Sequence, residues 1–170
     1  MKRILAINGS ASESSSNLRL LEVISAKFSD TVEIAVYDGL WHLPLFTPPK
    51  LKEGIPKSVT ELKNQVNQAD AIIIATPEYL HNIPAVLKNA LEWMTESGEL
   101  ADKPVLPITF TPHEPRGKFA MISLIQSLKA SKATVVAELP LYRNEILIEN
   151  GKFIFSAEQK FLLREALNLL

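Results

Sequence analysis

The chain has 170 residues, a formal net charge of −1, 46% apolar residues and no cysteine. The missing cysteines exclude disulfides, thiolate metal ligands and a cysteine nucleophile, and the near-neutral charge offers no electrostatic footprint for nucleic acid or a membrane surface. No stretch approaches the roughly 20 apolar residues that span a bilayer, and the apolar run Ile4-Leu5-Ala6-Ile7 is too short for the core of a secretory signal. A chain without disulfides fits the cytoplasm, and its length, with no repeat or linker, predicts one domain over 1–170.

In chain order, Ile4-Leu5-Ala6-Ile7 reads as a short strand ended by Asn8-Gly9-Ser10. Ala11-Ser12-Glu13-Ser14-Ser15-Ser16-Asn17 is small and polar, and residues 18–28 then place Leu21, Ile24 and Phe28 at helical spacing. A hydroxyl-rich loop therefore feeds a helix N-terminus, where unpaired N–H groups and a partial positive charge favour an anion such as phosphate. No Lys or Arg lies between Gly9 and Leu18, so neutral donors would do most of the holding. The same residues also suit a plain surface loop capping a helix. The loop lacks the G-x-G-x-x-G of dinucleotide-binding folds and the Lys-Ser/Thr of a P-loop.

Residues 32–36 alternate as a second strand. Residues 37–56 form a long connection punctuated by Pro44, Pro48, Pro49 and Pro56. Trp41, Leu43, Leu45 and Phe46 make it too apolar for a solvated linker, and suit a ligand cover, a subunit contact or a cover for the domain's own core. Val59, Leu62, Val66 and Ala69 mark the next helix face. Ala71-Ile72-Ile73-Ile74-Ala75 reads as a strand buried on both faces and stops at Thr76-Pro77. A short loop, residues 77–83, leads into a helix opened by Pro84 with Leu87, Ala90, Leu91 and Met94 on one face.

Residues 105–110 form a further strand, which Pro107 suggests is an edge or bulged one. A third loop, Thr111-Pro112-His113-Glu114-Pro115-Arg116-Gly117, precedes a helix with Met121, Leu124, Ile125 and Leu128 inward. Residues 133–136 make a short fifth strand, and apolar pieces at 145–148 and 153–155 precede a last helix expected to bury Leu162, Ala166 and Leu169. Strands alternating with helices predict an α/β fold with a doubly wound, five-stranded parallel sheet in the flavodoxin-like order 2-1-3-4-5 and helices on both faces. That order sets the loops after the first, third and fourth strands side by side at the carboxyl edge.

Gly9-Ser10, Ser15 and Asn17 resemble the phosphate loop of the NADPH-dependent FMN reductases. Thr76-Pro77-Glu78-Tyr79 followed by Ile83-Pro84-Ala85-Val86-Leu87-Lys88-Asn89-Ala90-Leu91-Glu92-Trp93 resembles that family's most recognisable segment, and Leu100-Ala101-Asp102-Lys103-Pro104 its entry to the fourth strand. The resemblance covers residues 1 to about 140. It implies a flavodoxin-like FMN protein that takes electrons from NADPH or NADH and reduces a small acceptor, such as a flavin, quinone, azo compound or metal oxyanion. It also implies a homodimer or homotetramer. Ser10, Ser15 and Asn17 would hold the phosphate, and Pro77, Glu78 and Tyr79 would run beside the flavin ring. The whole cofactor-binding set so implied is Ser10, Ser12, Ser15, Ser16, Asn17, Pro77, Glu78, Tyr79, Leu80 and Thr111.

Three positions depart from the family's pattern. Many members have arginine where Ser12 stands, Asn-Gly-Ser where Leu80-His81-Asn82 stands, and a glycine pair in the third loop, where only Gly117 remains. Because a flavin carries the electron chemistry, no catalytic side chain is assigned. His42, His81 and His113 show no metal-ligand spacing. A flavodoxin-type electron carrier and a flavin-free interaction protein are the alternative readings.

Overall fold

Ala71–Thr76 forms β3, the middle of the sheet, and all six residues are buried. Its run of β-branched side chains packs on both faces, the pattern of a parallel strand covered by helices. The computed structural model describes residues 1–12 and 14–170; Glu13, within the serine loop, lies outside the described residues. β1 (Arg3–Asn8) and β4 (Pro104–Thr111) flank β3 in parallel, and β2 (Glu33–Tyr37) pairs with the far side of β1. The order is 2-1-3-4-5, as the alternating elements predict.

Two short segments share the fifth position: β5 (Thr134–Val135) and β6 (Leu139–Tyr142) both pair in parallel with β4. The sequence reading found only the first of them. Pro107 marks the gap between them rather than a sheet edge. The Val136 N–H donates to Val105 O at 3.0 Å, so main-chain groups two residues further along β4 face the same side. The proline, with no N–H, therefore stands where β5 has ended and β6 has not begun.

Helices α1 (Ser16–Lys27) and α6 (Ala157–Asn168) cover one face of the sheet. The other face is covered by α3 (Lys57–Gln68), α4 (Ala85–Trp93) and α5 (Lys118–Ala130). The buried residues of α3, α4 and α5 follow the expected stripes, except that in α5 Ile125 is only half-buried and Ala120 is buried. The face of α6 differs: Leu163, Ala166, Leu167 and Leu170 are buried, whereas Leu162 and Leu169 are exposed. A leucine-rich helix offers two overlapping stripes one residue apart, and packing against the sheet selected the second.

The long connection after β2 has structure of its own. It holds a 3-10 turn at Leu40–His42 and a short helix α2 (Pro48–Glu53). Leu40 and Leu43 are buried, and Phe46 meets Trp93 edge-on at 5.2 Å. Trp93 Nε1 donates to Pro44 O at 2.8 Å, and the Asn89 amide donates to Pro44 O and accepts from Phe46 N. Of the four apolar residues that left the reading open, Leu43 and Phe46 cover the domain's own core, whereas Trp41 and Leu45 are exposed. A β-hairpin, β7 (Leu147–Glu149) and β8 (Lys152–Ile154), precedes α6. Its Phe153 turns inward to Phe110 at 5.5 Å.

Candidate functional site

The serine loop is pinned from beneath. Gly9 N–H donates to Ala75 O at 2.7 Å, so β1 and β3 stay joined to their last residues. A Cβ on Gly9 would lie 2.9 Å from that carbonyl oxygen, and only glycine fits there without displacing backbone. Buried Asn8 accepts from Ser10 N at 3.2 Å and donates to Asp38 Oδ1 at 2.7 Å. Ser10 Oγ accepts from Ser12 N at 3.2 Å, and Ser15 Oγ, the cap of α1, accepts from Asn17 N at 3.1 Å. With both hydroxyl oxygens accepting inside the loop, both O–H groups remain available to donate outward. Asn17 donates through Nδ2 to Phe110 O at 3.4 Å, while its Oδ1 is buried without a hydrogen-bond partner among the described residues.

A cleft opens above this floor along the carboxyl edge of the sheet. Its first lobe, about 340 Å³, is walled by the serine loop together with Pro77, Tyr79, Arg19, Arg143 and Phe153. The second, about 310 Å³, is walled by Pro77, Glu78, Tyr79, Thr111, Arg116 and Arg143. Ser16, Pro77, Tyr79 and Arg143 border both. The topology thus brings nine of the ten residues implied by the resemblance to one cleft, and Leu80 is the exception. Leu80 (φ 50°) and His81 (φ 57°) form the tip of a tight turn closed by reciprocal Tyr79–Asn82 main-chain bonds of 2.9 Å. Two non-glycine residues at positive φ are costly, and the turn leaves Leu80 99% exposed, pointing away from the cleft.

Glu78 has a different occupation. Its Oε2 accepts from the N–H groups of Phe119 and Ala120 at 3.0 and 3.1 Å, capping α5, and Oε1 lies 3.5 Å from His81 Nδ1. The His81 ring packs on Phe119 at 4.7 Å. The resemblance implied a place beside the flavin ring for Glu78, and the structure gives its carboxylate a cap to make as well. The capped groups belong to a helix some forty residues on, and a carboxylate at a helix start is favoured by the dipole. The third loop closes on itself: Thr111 Oγ1 donates to Arg116 O at 2.9 Å, and Gly117 (φ 98°) turns the chain into α5. His113 is exposed and bonds only to the neighbouring Glu114 O. Tyr142, at the end of β6, is pushed above the usual tyrosine range by burial, helped by the carboxylates of Glu114 and Glu145.

Four residues in the wall of the first lobe escaped sequence reasoning. Ser14 lies in the loop itself, and Arg19 follows Ser16 at i+3 on α1, a spacing that the helical pattern contained. Arg143 and Phe153 come from the end of β6 and from the hairpin, and no local signal connects them to a loop more than a hundred residues earlier. Their presence changes the expectation of a mainly neutral donor set, because two guanidinium groups share the wall with the serines.

A three-loop cleft at the carboxyl edge of a 2-1-3-4-5 sheet is shared by many binding proteins, and comparison with known proteins narrows it. The family model described as NADPH-dependent FMN reductase matches residues 2–144. This chain belongs to that family. Among its relatives is the NADH:(hydroxy)cinnamate reductase subunit CrdA of Vibrio ruber, 45% identical over 103 residues, which cover 60% of this chain and 50% of that protein. Another is the NADH-dependent flavin reductase subunit 2 of Lactobacillus johnsonii, 42% identical over 92 residues, covering 54% of this chain and 47% of that protein. The family member described here thus spans about half the length of these two relatives. The NAD(P)H:(acceptor) oxidoreductase FerB of Paracoccus denitrificans has the same fold, with a TM-score of 0.80 at 22% identity, covering 99% of this chain and 95% of that one. Among the described residues no helix is long and apolar enough to cross a membrane.

Proposed function

We propose that residues 1–170 act as one FMN-binding domain of an NAD(P)H-dependent oxidoreductase that reduces a small acceptor. The observation carrying this reading is the buried, unpartnered Oδ1 of Asn17 at the floor of a serine-lined helix start. A buried acceptor without a partner is costly unless something fills the site. A flavin mononucleotide fits the donor set. Its phosphate would meet the Ser10, Ser12, Ser15 and Ser16 hydroxyls and the first turn of α1, and a side-chain hydroxyl of its ribityl arm would satisfy the Asn17 acceptor. The ring would lie in the second lobe, against Pro77 and Tyr79 and the Thr111 loop. Leu80 would then contribute through its main chain alone.

When bound, FMN supplies the acceptance and delivery of electrons between a nicotinamide donor and an oxidised acceptor. The chain's own residues bind and orient. Glu78 holds the start of α5 through Oε2, and so ties the second loop to the helix that follows the third. Tyr79 is half exposed at the junction of the lobes and would flank both ring and incoming molecule. The relatives' names support acceptors of flavin, quinone or hydroxycinnamate type. Cytoplasmic location and association as a homodimer or homotetramer belong to the same proposal.

The test is a visible spectrum of the purified protein with added FMN, then with NADPH and NADH in turn. Binding followed by bleaching with either nucleotide is the expected result. A bound flavin that neither nucleotide bleaches would make the protein an electron carrier served by another protein. Absence of binding would overturn the reading.

A further inference from the structure

The cleft raises a question of charge. Between Gly9 and Leu18 the loop carries no cation, and neutral hydroxyls with one helix start are a modest match for a phosphate dianion. Arg143 enters from the opposite end of the chain. The register Thr111↔Tyr142 brings the end of β6 level with the end of β4, so Arg143 is the first residue beyond the sheet edge. It opens a 3-10 turn, Arg143–Glu145, held by Asn144 N–H donating to Pro112 O at 3.1 Å. Buried Ile146 anchors the chain just behind it. The backbone under Arg143 is therefore fixed, and the side chain borders both lobes. Among the described residues no carboxylate lies within ion-pair distance of it. Arg19 lines the first lobe only.

Resting on the FMN reading above, we propose that Arg143 is the counter-charge for the cofactor's phosphate, and that it makes this cleft select a phosphorylated flavin over riboflavin. Three features carry this: the cation-free loop, the wall shared with the serines, and an arginine positioned by sheet register rather than by the loop it serves. A guanidinium presents a planar fork of donors suited to phosphate oxygens, which a lysine cannot reproduce. Because Arg143 is exposed, the pairing is screened by salt.

The test is titration of wild-type protein, Arg143→Gln and Arg143→Lys with FMN and with riboflavin, at low and high salt. Arg143→Gln is expected to weaken FMN about tenfold at low salt, consistent with a charge-assisted bond at a screened site, and to leave riboflavin unchanged. Arg143→Lys should fall between, and the salt dependence of FMN binding should flatten in the glutamine variant. If FMN and riboflavin weaken together, Arg143 packs on the ring or the ribityl arm and the proposal fails. It fails equally if neither changes, or if only the KM for NADPH rises. In those cases wild-type protein still binds FMN and the broader reading stands. Wild-type protein that binds neither flavin overturns both.

Discussion

At the amino-terminal end of the sheet, Asp70 accepts from Arg3 N–H at 2.7 Å and returns its own N–H to Arg3 O at 2.8 Å. Lys103 donates to Ala69 O at 2.7 Å. Lys63, buried on α3, bonds to the Ser97 hydroxyl and lies 3.5 Å from the equally buried Glu99, which also accepts from Ser97 at 2.9 Å. At the carboxyl end of the same strands, Asn17 Oδ1 is unpartnered and so is Thr109 Oγ1 among the described residues. Among the described residues the arginines there find no carboxylates, and a tight turn holds two side chains at positive φ. One end pairs its polar groups with each other, and the other, though bonded within its loops, leaves two buried oxygens and its arginines without partners among the described residues. The difference lies in side chains and loops. It separates groups that hold the fold from groups that await a ligand.

The largest expected break in this contrast is at the satisfied end. Lys63→Ala leaves the Glu99 carboxylate buried without its cation and should cost about 3 kcal/mol, read by urea unfolding. FMN affinity of the folded fraction should be unchanged. If the variant is as stable as the wild type, Lys63 and Glu99 are solvated and the amino-terminal end is not the stapled one.

At the open end the ranking should reverse. Ser15→Ala removes the cap of α1 and should cost about 1 kcal/mol of stability. Asn17→Ala removes the long Nδ2 bond to Phe110 O, at 3.4 Å, together with an acceptor that is already unpaired, so its net stability cost should be smaller, while both variants lose FMN affinity. Loss of stability without loss of flavin would reduce the loop to a helix cap.

The smallest effect concerns Lys103. Burial holds its ammonium below the usual lysine range, partly offset by Asp70. The charged form is therefore disfavoured in the folded state. That cost is present at neutral pH and is relieved as pH rises through the lowered folded value toward the ordinary one. Wild-type protein should gain stability relative to Lys103→Met as pH is raised from 7 toward 10. A constant difference across that window would show an ammonium as well solvated in the folded chain as in the unfolded one.

Much of this molecule is written locally. The period of Leu87, Ala90, Leu91 and Met94, the all-apolar Ala71–Thr76 strand and the hydroxyl-rich stretch before α1 each report their own burial or capping, because helix and strand periods depend on neighbours a few residues away. From these the strand order followed, and with it the meeting of three loops at one edge. The inward face of α6 was ambiguous, because two leucine stripes satisfy the same period. The second half of the fifth strand was hidden by Pro140 between Leu139 and Leu141. The cap that Glu78 makes on α5 joins residues about forty positions apart, and nothing in the local spacing marks it.

The sequence alone determined the alternation of strands and helices, the hydroxyl loop at a helix start and the Pro77-Glu78-Tyr79 turn beside it, since each is a matter of residue type and short spacing. Tertiary structure decided which groups are left without partners and which charges reach the cleft. Asn17 gives its Nδ2 to β4 and keeps Oδ1 without a partner among the described residues, and Arg143 shares a wall with the serines because β6 runs in register with β4. Charge and hydrogen bonding act across space, and a chain's spacing does not record which distant residues the sheet will bring within reach.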